Sequence, residues 1–422
     1  MKVLILTYYF PPLGLGGAQR VAKFVKYLPQ FGWRPTVVTV KPIAYWATDL
    51  SLLQDVRDAR VFRTESYDPQ RLLARMGKTS IQTQTDNSRM SIGTFLNEKL
   101  LPFLLMPDSK ILWQPFVQKA VKDLLAGEKF DALMTSSPPH SVHMIGRRIV
   151  KKYKLPWLTD FRDGWAGSHI VHEPTRWQYK QNYRLQKSVI ADADAVVSAS
   201  PGIDLAFKSV SFEPKKFYII TNGFDPQDFD SAAQGDNTLF TLCYSGTINK
   251  FADPMPFLDA LVKMQQQTPQ TLARLRVQFV GFDALGCLAK EVKKRGLAKV
   301  VDIIGHQDHS ESVKYLVNAN ALLLIAKARE TDTFIPGKTF EYIGAHKPVF
   351  AISNSRYTNA LLSDYALAYV TDSFDPDKIF LRLKEFLHTK WNSISINLNL
   401  DRFNRVKQTE QLTEVLNTIC RK

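Results

Sequence analysis

Short apolar runs alternate with amphipathic stretches from the first residue onward. VLILTYYF, PTVVTV, ALMTSS, WLTDF and AVVSAS each end in small polar or turn-forming residues, and between them lie helical patterns such as AQRVAKFVKYLPQFG at 18–32. An antiparallel strand with one wet face would alternate apolar and polar positions; continuous apolar runs separated by helices predict parallel strands buried on both faces. The rhythm pauses at DPQDFDSAAQGDNT, 225–238, which is poor in large aliphatic residues. It then resumes with LFTLCYSG, LRVQFVGF, VVDIIGH, ALLLIAKA and PVFAIS. The pattern therefore predicts an α/β protein with two doubly wound sheets: a first domain over 1–225, a linker at 226–238 and a second domain over 239–400. The charged amphipathic segment 401–422 reads as a closing helix that packs back on one of them. Two such halves place a cleft at the carboxyl ends of their strands.

Length fits this reading, since 422 residues exceed what one hydrophobic core usually supports. Lys and Arg outnumber Asp and Glu by 55 to 40, giving a net charge of +15 that favours phosphate-bearing ligands, an anionic membrane face or nucleic acid. No zinc-finger, RNA-recognition or helix-turn-helix pattern supports nucleic acid. The basic runs RRIVKKYK (147–154) and KEVKKRGLAK (290–299) read first as solvated helix faces. The cysteines, Cys243, Cys287 and Cys420, lack CxxC spacing, which excludes a disulfide framework or a structural zinc site and suits a reducing, cytoplasmic setting. The opening run stops at a Pro pair and reads as a first strand, not a signal peptide. FLNEKLLPFLLMPDSKILWQPF, 95–116, carries Lys99, Lys110 and Trp113 and reads either as core helix with a loop or as a segment dipping into a membrane surface.

Chemistry-bearing residues gather where strands end. PPLGLGGAQR, 11–20, sets Gly14, Gly16 and Gly17 before a helix with Arg20 one turn in, an anion site in principle although a third spaced glycine is missing. TSSPPHSVHMIG, 135–146, puts His140 and His143 one turn apart; a structural hydrogen bond and a place in the site both remain open, and no third metal ligand is near. WLTDFRDGW, 157–165, offers Asp160, Arg162 and Asp163, either as an ion-pair network shaping a loop or as a carboxylate pair at the site edge. TNGFD, 221–225, is a tight turn beside the linker. Finally, TFIPGKTFEYIGAHKPVFAI, 333–352, brings Gly337, Lys338 and Glu341 to one helix start. A diphosphate would take the N–H groups and Lys338, and ribose hydroxyls would suit Glu341.

In this order, YYFPPLGLGGAQR, SSPPHSVHMIG, DFRDGW, TNGFD, YSGT (244–247) and IPGKTFEYIGAHKP make the chain resemble the family-4-type retaining glycosyltransferases of the GT-B fold, in the branch that builds bacterial surface polysaccharides. The resemblance implies two Rossmann-like domains facing across a cleft, a nucleotide-sugar donor on the second and a glycan or lipid-linked glycan acceptor on the first. It implies donor contacts at Gly16, Gly17, Thr247, Lys250, Gly337, Lys338 and Glu341, with Arg20, Arg162 and Asp163 on the acceptor side. His140, His143, Asp160 and Lys338 are the candidates for catalysis, no metal is required, and the enzyme would work at the cytosolic membrane face. Thr333 stands where the family's first Glu is expected, Thr247 where many members have Arg, and Ser136 where many have a cleft His. Two other readings share the fold: a non-hydrolysing sugar-nucleotide epimerase using His140, Asp160 and Asp163 as acid and base groups, and a nucleotide-sugar-binding protein without catalysis.

Overall fold

The computed structural model describes residues 1–14, 16–45, 48–77, 105–168, 171, 173, 175–211, 213, 216–229, 238–329, 332–393 and 400–421. The chain divides into two compact units, one comprising Met1–Asn222 with Arg405–Lys422 and the other Gly223–Asn404.

The first unit holds β1 (Lys2–Thr7), β2 (Arg34–Val40), β3 (Arg60–Thr64), β4 (Ala132–Ser137), β5 (Trp157–Phe161), β6 (Ala195–Ser198) and β7 (Phe217–Ile219). They pair in parallel in the order β3-β2-β1-β4-β5-β6-β7. The central strands β4 and β5 are buried at every position, which is why their sequences show no alternation. The order reverses direction between β1 and β4, and in such sheets the crevice outside the carboxyl ends at this switch receives ligands.

The second unit repeats the plan with β8 (Phe240–Ser245), β9 (Leu275–Val280), β10 (Val301–Gly305), β11 (Ala321–Ala326), β12 (Val349–Ser353) and β13 (Ala368–Thr371). Its order is β10-β9-β8-β11-β12-β13, so the switch lies between β8 and β11.

The helix Arg405–Cys420 belongs to the first unit. Its Leu412, Val415, Leu416 and Ile419 are buried in one core with Val21, Phe24 and Val25 of the helix Gly16–Tyr27, and Asn417 accepts a hydrogen bond from Trp33 Nε1 at 3.1 Å. The chain thus leaves the first unit at Asn222, three residues before the boundary expected at 225, and re-enters it at Arg405. The turn residues are anchored there: Gln408 Nε2 donates to the Asn222 carbonyl at 3.0 Å.

Lys110 and Trp113 do not form a membrane-facing surface. Trp113 is fully buried, donating to Thr64 Oγ1 at 2.6 Å, and the Lys110 ammonium lies 5.7 Å above the Tyr8 ring and 3.7 Å from Asp68. Both are consumed by the first unit's own packing, while Lys99 lies outside the described residues. Among the described residues no helix is long and apolar enough to cross a membrane.

Candidate functional site

The first unit's strand ends are stitched together by buried charge. Arg20, on the helix Gly16–Tyr27, is fully buried and forms an ion pair with the equally buried Asp160 at 2.8 Å. Its remaining donors reach the carbonyls of Thr221 (2.6 Å) and Ile220 (2.8 Å), and Ser136 Oγ donates to the free side of Asp160 at 2.7 Å. Buried and bonded on both partners, this network ties β4, β5 and the exit turn together. Asp160 pairs with Arg20, not with its sequence neighbour Arg162. Arg162 donates to the carbonyls of Ser137 (Nε, 2.9 Å), Gly17 and Pro138, and burial pulls its guanidinium below its ordinary pKa. A Cβ on Gly17 would stand 2.9 Å from Arg162 Nη1, so the close approach this glycine permits is taken by Arg162. Gly16 opens the helix beside it, and half-buried Asp163 helps hold the Arg162 charge.

His140 and His143 lie below this layer. The His140 ring stacks on Trp165 at 4.8 Å and 4°, and its Nε2 meets the Gly164 carbonyl at 3.2 Å. Burial pushes its pKa down to about 3, and burial likewise holds His143 well below the usual range, so both rings are neutral at pH 7. Thr135 Oγ1 accepts from Trp157 Nε1 at 2.9 Å and contacts His143 Nδ1 at 2.7 Å. Buried His140 Nδ1 and His143 Nε2 have no hydrogen-bond partner among the described residues. A second group, around Asp108 and Asp68, leaves no local trace in the sequence: folding brings both carboxylates to Tyr8 and Lys110. Asp108 accepts from Ser141 N (3.0 Å) and Oγ (2.8 Å), and Asp68 accepts from Tyr8 at 2.5 Å.

The second unit has a different character, because its strand-end cation rests on a neutral hydroxyl and ring and not on a buried carboxylate. β8 ends at Ser245, and Gly246 turns with φ of 131°, a conformation that disfavours any side chain. The helix Gly337–Gly344 starts behind Pro336, which supplies no side-chain cap. Its second residue, Lys338, extends under the turn: a Cβ on Gly246 would meet Lys338 Nζ at 2.8 Å. That ammonium donates to Tyr244 Oη at 2.6 Å, and Tyr244 donates on to the Thr247 carbonyl at 2.8 Å. Burial lowers the Lys338 pKa to about 7, partly offset by the Glu341 carboxylate. Tyr342 ties the cradle to both central strands, accepting from Ser245 N at 2.8 Å and contacting the Leu323 carbonyl at 3.2 Å.

Glu341 lies just past the first turn of the same helix, one turn on from Lys338, and is flanked by a residue the sequence reading missed. His309, at the start of the helix His309–Asn318, sits between two carboxylates, with Nδ1 3.7 Å from Glu341 and Nε2 3.0 Å from Asp228. Asp228 comes from the segment read only as linker. Gly337 opens the helix and is exposed, whereas Lys250 is exposed with its ammonium 5.1 Å from the Phe251 ring, outside the cradle's hydrogen bonds. Asp332 is held in a local turn by Arg329, and Glu330 lies outside the described residues. Among the described residues no cluster of three or more His, Cys, Asp or Glu side chains could hold a metal ion.

Residues 16–223 match the Glycosyl transferase 4-like domain. None of the curated proteins compared with the chain matches it in sequence. Among solved structures, Anabaena Alr3699/HepE in complex with UDP and glucose is similar with a TM-score of 0.67 at 15% identity, over 99% of this chain and 100% of that one. WaaG, a glycosyltransferase involved in lipopolysaccharide biosynthesis, is similar with a TM-score of 0.59 at 12% identity, over 98% and 95% of the two chains. Sucrose-phosphate synthase from Thermosynechococcus elongatus gives a TM-score of 0.60 at 13% identity, over 100% and 96%. Residues 16–223 thus match a glycosyl transferase 4-like domain, and the chain as a whole has the GT-B fold of these structures.

Proposed function

We propose that the protein transfers a hexose-type sugar, with retention at the anomeric carbon, from a nucleoside-diphosphate sugar to a lipid-linked surface-glycan acceptor at the cytosolic face of a membrane. The observation that carries this reading is the Lys338 cradle. A half-buried ammonium, the uncapped start of the helix Gly337–Gly344 and the Gly246 turn converge at the switch point of the second sheet. A diphosphate there restores to Lys338 the charge that burial weakens, and Glu341 accepts hydrogen bonds from ribose hydroxyls.

In the proposed step the bond from the sugar C1 to the β-phosphate oxygen breaks, and the bond from C1 to the acceptor oxygen forms on the same face. The acceptor's proton passes to the departing diphosphate. Lys338 and the helix N–H groups stabilise the charge that grows on the leaving group, so neither a second protein carboxylate nor a metal is needed. The bound UDP of Anabaena HepE supports a uridine nucleotide as the first donor to try.

Thermal-shift and calorimetric titrations with UDP, GDP, ADP and their common sugars test the site, with wild type beside Glu341→Ala and Lys338→Ala. Stabilisation by one nucleotide, lost in both variants, is the expected result. A folded wild type that binds none of them overturns the reading. Incubating a nucleotide sugar with the protein and no acceptor separates the epimerase, which would yield a new sugar nucleotide. The epimerase's candidate groups are poorly disposed for proton transfer, since His140 is held neutral in the interior and Asp160 is locked to Arg20.

A further inference from the structure

The helix Arg176–Asp192 in the first unit, RWQYKQNYRLQKSVIAD, turns an unusual face to solvent. Its buried positions are Gln178, Asn182, Gln186, Val189 and Ile190, which set the inward stripe. The outward arc carries Trp177 at 48% exposure, Tyr179 at 44% and Tyr183 at 37%, all large aromatic side chains that a soluble surface usually covers. At 100° per residue, Arg176, Lys180, Arg184 and Lys187 fall on the middle of that arc, with the two tyrosines on one flank and the tryptophan on the other. All four cations are exposed, and the arc contains no carboxylate.

The neighbouring helix, Ser141–Tyr153, continues the charge. It has no acidic residue and presents Arg147, Arg148, Lys151 and Lys152. The two helices are joined by Asp192, which pairs with Arg147 at 2.5 Å and Lys151 at 2.9 Å. Asp192 is the single carboxylate on either helix. The basic run at 147–154 is therefore one half of a larger basic surface, not an isolated solvated face.

We infer that this surface docks the protein onto an anionic lipid bilayer, with the helix Arg176–Asp192 lying along the headgroups. Charge complementarity argues for an anionic partner. The flanking Trp and Tyr side chains argue for a lipid interface over nucleic acid, whose readers stack bases on aromatics set in a groove, because amphipathic rings partition to the headgroup layer beside basic residues. Seventeen residues give the helix a length of about 25 Å, enough for several headgroups. The inference rests on the membrane part of the proposed function and not on its donor chemistry.

The test is co-sedimentation of the full chain with vesicles of about one third phosphatidylglycerol in phosphatidylcholine, beside vesicles of phosphatidylcholine alone. Wild type binds the anionic vesicles and releases them as salt rises. The charge-reversed variant Lys180→Glu/Arg184→Glu/Lys187→Glu loses at least about tenfold in partitioning, each cation near an anionic leaflet being worth a few-fold. The variant Trp177→Ala/Tyr183→Ala loses binding that high salt does not already remove. Neither variant touches the Lys338 cradle, so the nucleotide-induced thermal shift stays as in wild type and shows that the fold is intact. Equal sedimentation of wild type and charge-reversed protein, equal binding to neutral vesicles, or retention of wild type on an acidic polysaccharide without any vesicle binding overturns the docking surface. Loss of the nucleotide shift in wild type with vesicle binding preserved overturns the donor site and leaves this surface standing.

Discussion

Raising the pH above neutrality removes the positive charge of Lys338 in the free protein, because burial has lowered its pKa to about 7. A bound diphosphate reverses that shift and returns the group to the ordinary lysine range near 10. Binding must then take up a proton whenever the pH lies between the two values. At pH 8 the free group is only about one tenth protonated, so binding takes up about 0.9 proton. Over the same window the affinity falls toward tenfold per pH unit, which amounts to about 50-fold between pH 7 and pH 9. The nucleotide itself contributes little to this slope, since a terminal phosphate with a second pKa of about 6 is already ionised. Calorimetry in two buffers of different ionisation enthalpy measures the proton uptake directly, and the pH series gives the slope. Lys338→Met should bind weakly with a flat profile. A flat profile in wild type, or an unchanged slope in Lys338→Met, would refute both the buried state of this ammonium and its contact with the phosphates. The empty cradle also has its own pH signature. Between pH 7 and 10.5 the unfolded chain keeps a proton that the native state has released, so this group makes stability rise with pH across that window.

Four other outcomes are expected. Gly246→Ala should lower stability by about 1–3 kcal/mol and abolish the nucleotide shift, because the turn's positive φ and the Lys338 ammonium leave no room for a Cβ; unfolding by urea and the thermal shift check the two halves. Arg20→Met should cost about 3–5 kcal/mol in the same unfolding assay by stranding Asp160 in the interior, and soluble protein with unchanged stability would show that the pair is not closed to water. Above pH 6.5 buried His140 costs nothing, while below it the unfolded chain takes up a proton that the native state refuses down to about pH 3, so stability drains away on acidification. His140→Phe, which keeps the stack on Trp165, should therefore lose about 2 kcal/mol less than wild type between pH 7 and pH 5. His309→Ala should leave Glu341 without its flanking ring and reduce the preference for a ribonucleoside diphosphate over its dideoxy analogue, measured as a ratio of dissociation constants; an unchanged ratio would remove His309 from the site.

What could be read in advance follows physical range. Strands buried on both faces write themselves as unbroken apolar runs, so both sheets were legible from VLILTYYF to PVFAIS. Lys338 and Glu341 were legible because residues three apart on a helix are neighbours by local geometry alone. The partners that give those residues meaning were not legible. Tyr244 lies 94 residues before Lys338 and Arg20 lies 140 residues before Asp160, and neither pairing leaves a local trace. The same distance effect misled the local reading of DFRDGW, where adjacency suggested an Arg162 network and folding supplied Arg20 instead. Lys110 and Trp113 looked interfacial because composition cannot distinguish a lipid from a protein interior.

The return of the helix Arg405–Cys420 to the first unit makes the second unit an insertion within the first. During synthesis the Gly16–Tyr27 face therefore emerges long before Leu412, Val415, Leu416 and Ile419 can cover it, and the whole second sheet has been made by the time they appear. The earlier half of the molecule is the later one to be finished. A chain that stops short of residue 405 would be missing part of the core of its beginning while the segment that comes last before the stop, Gly223–Asn404, would be whole.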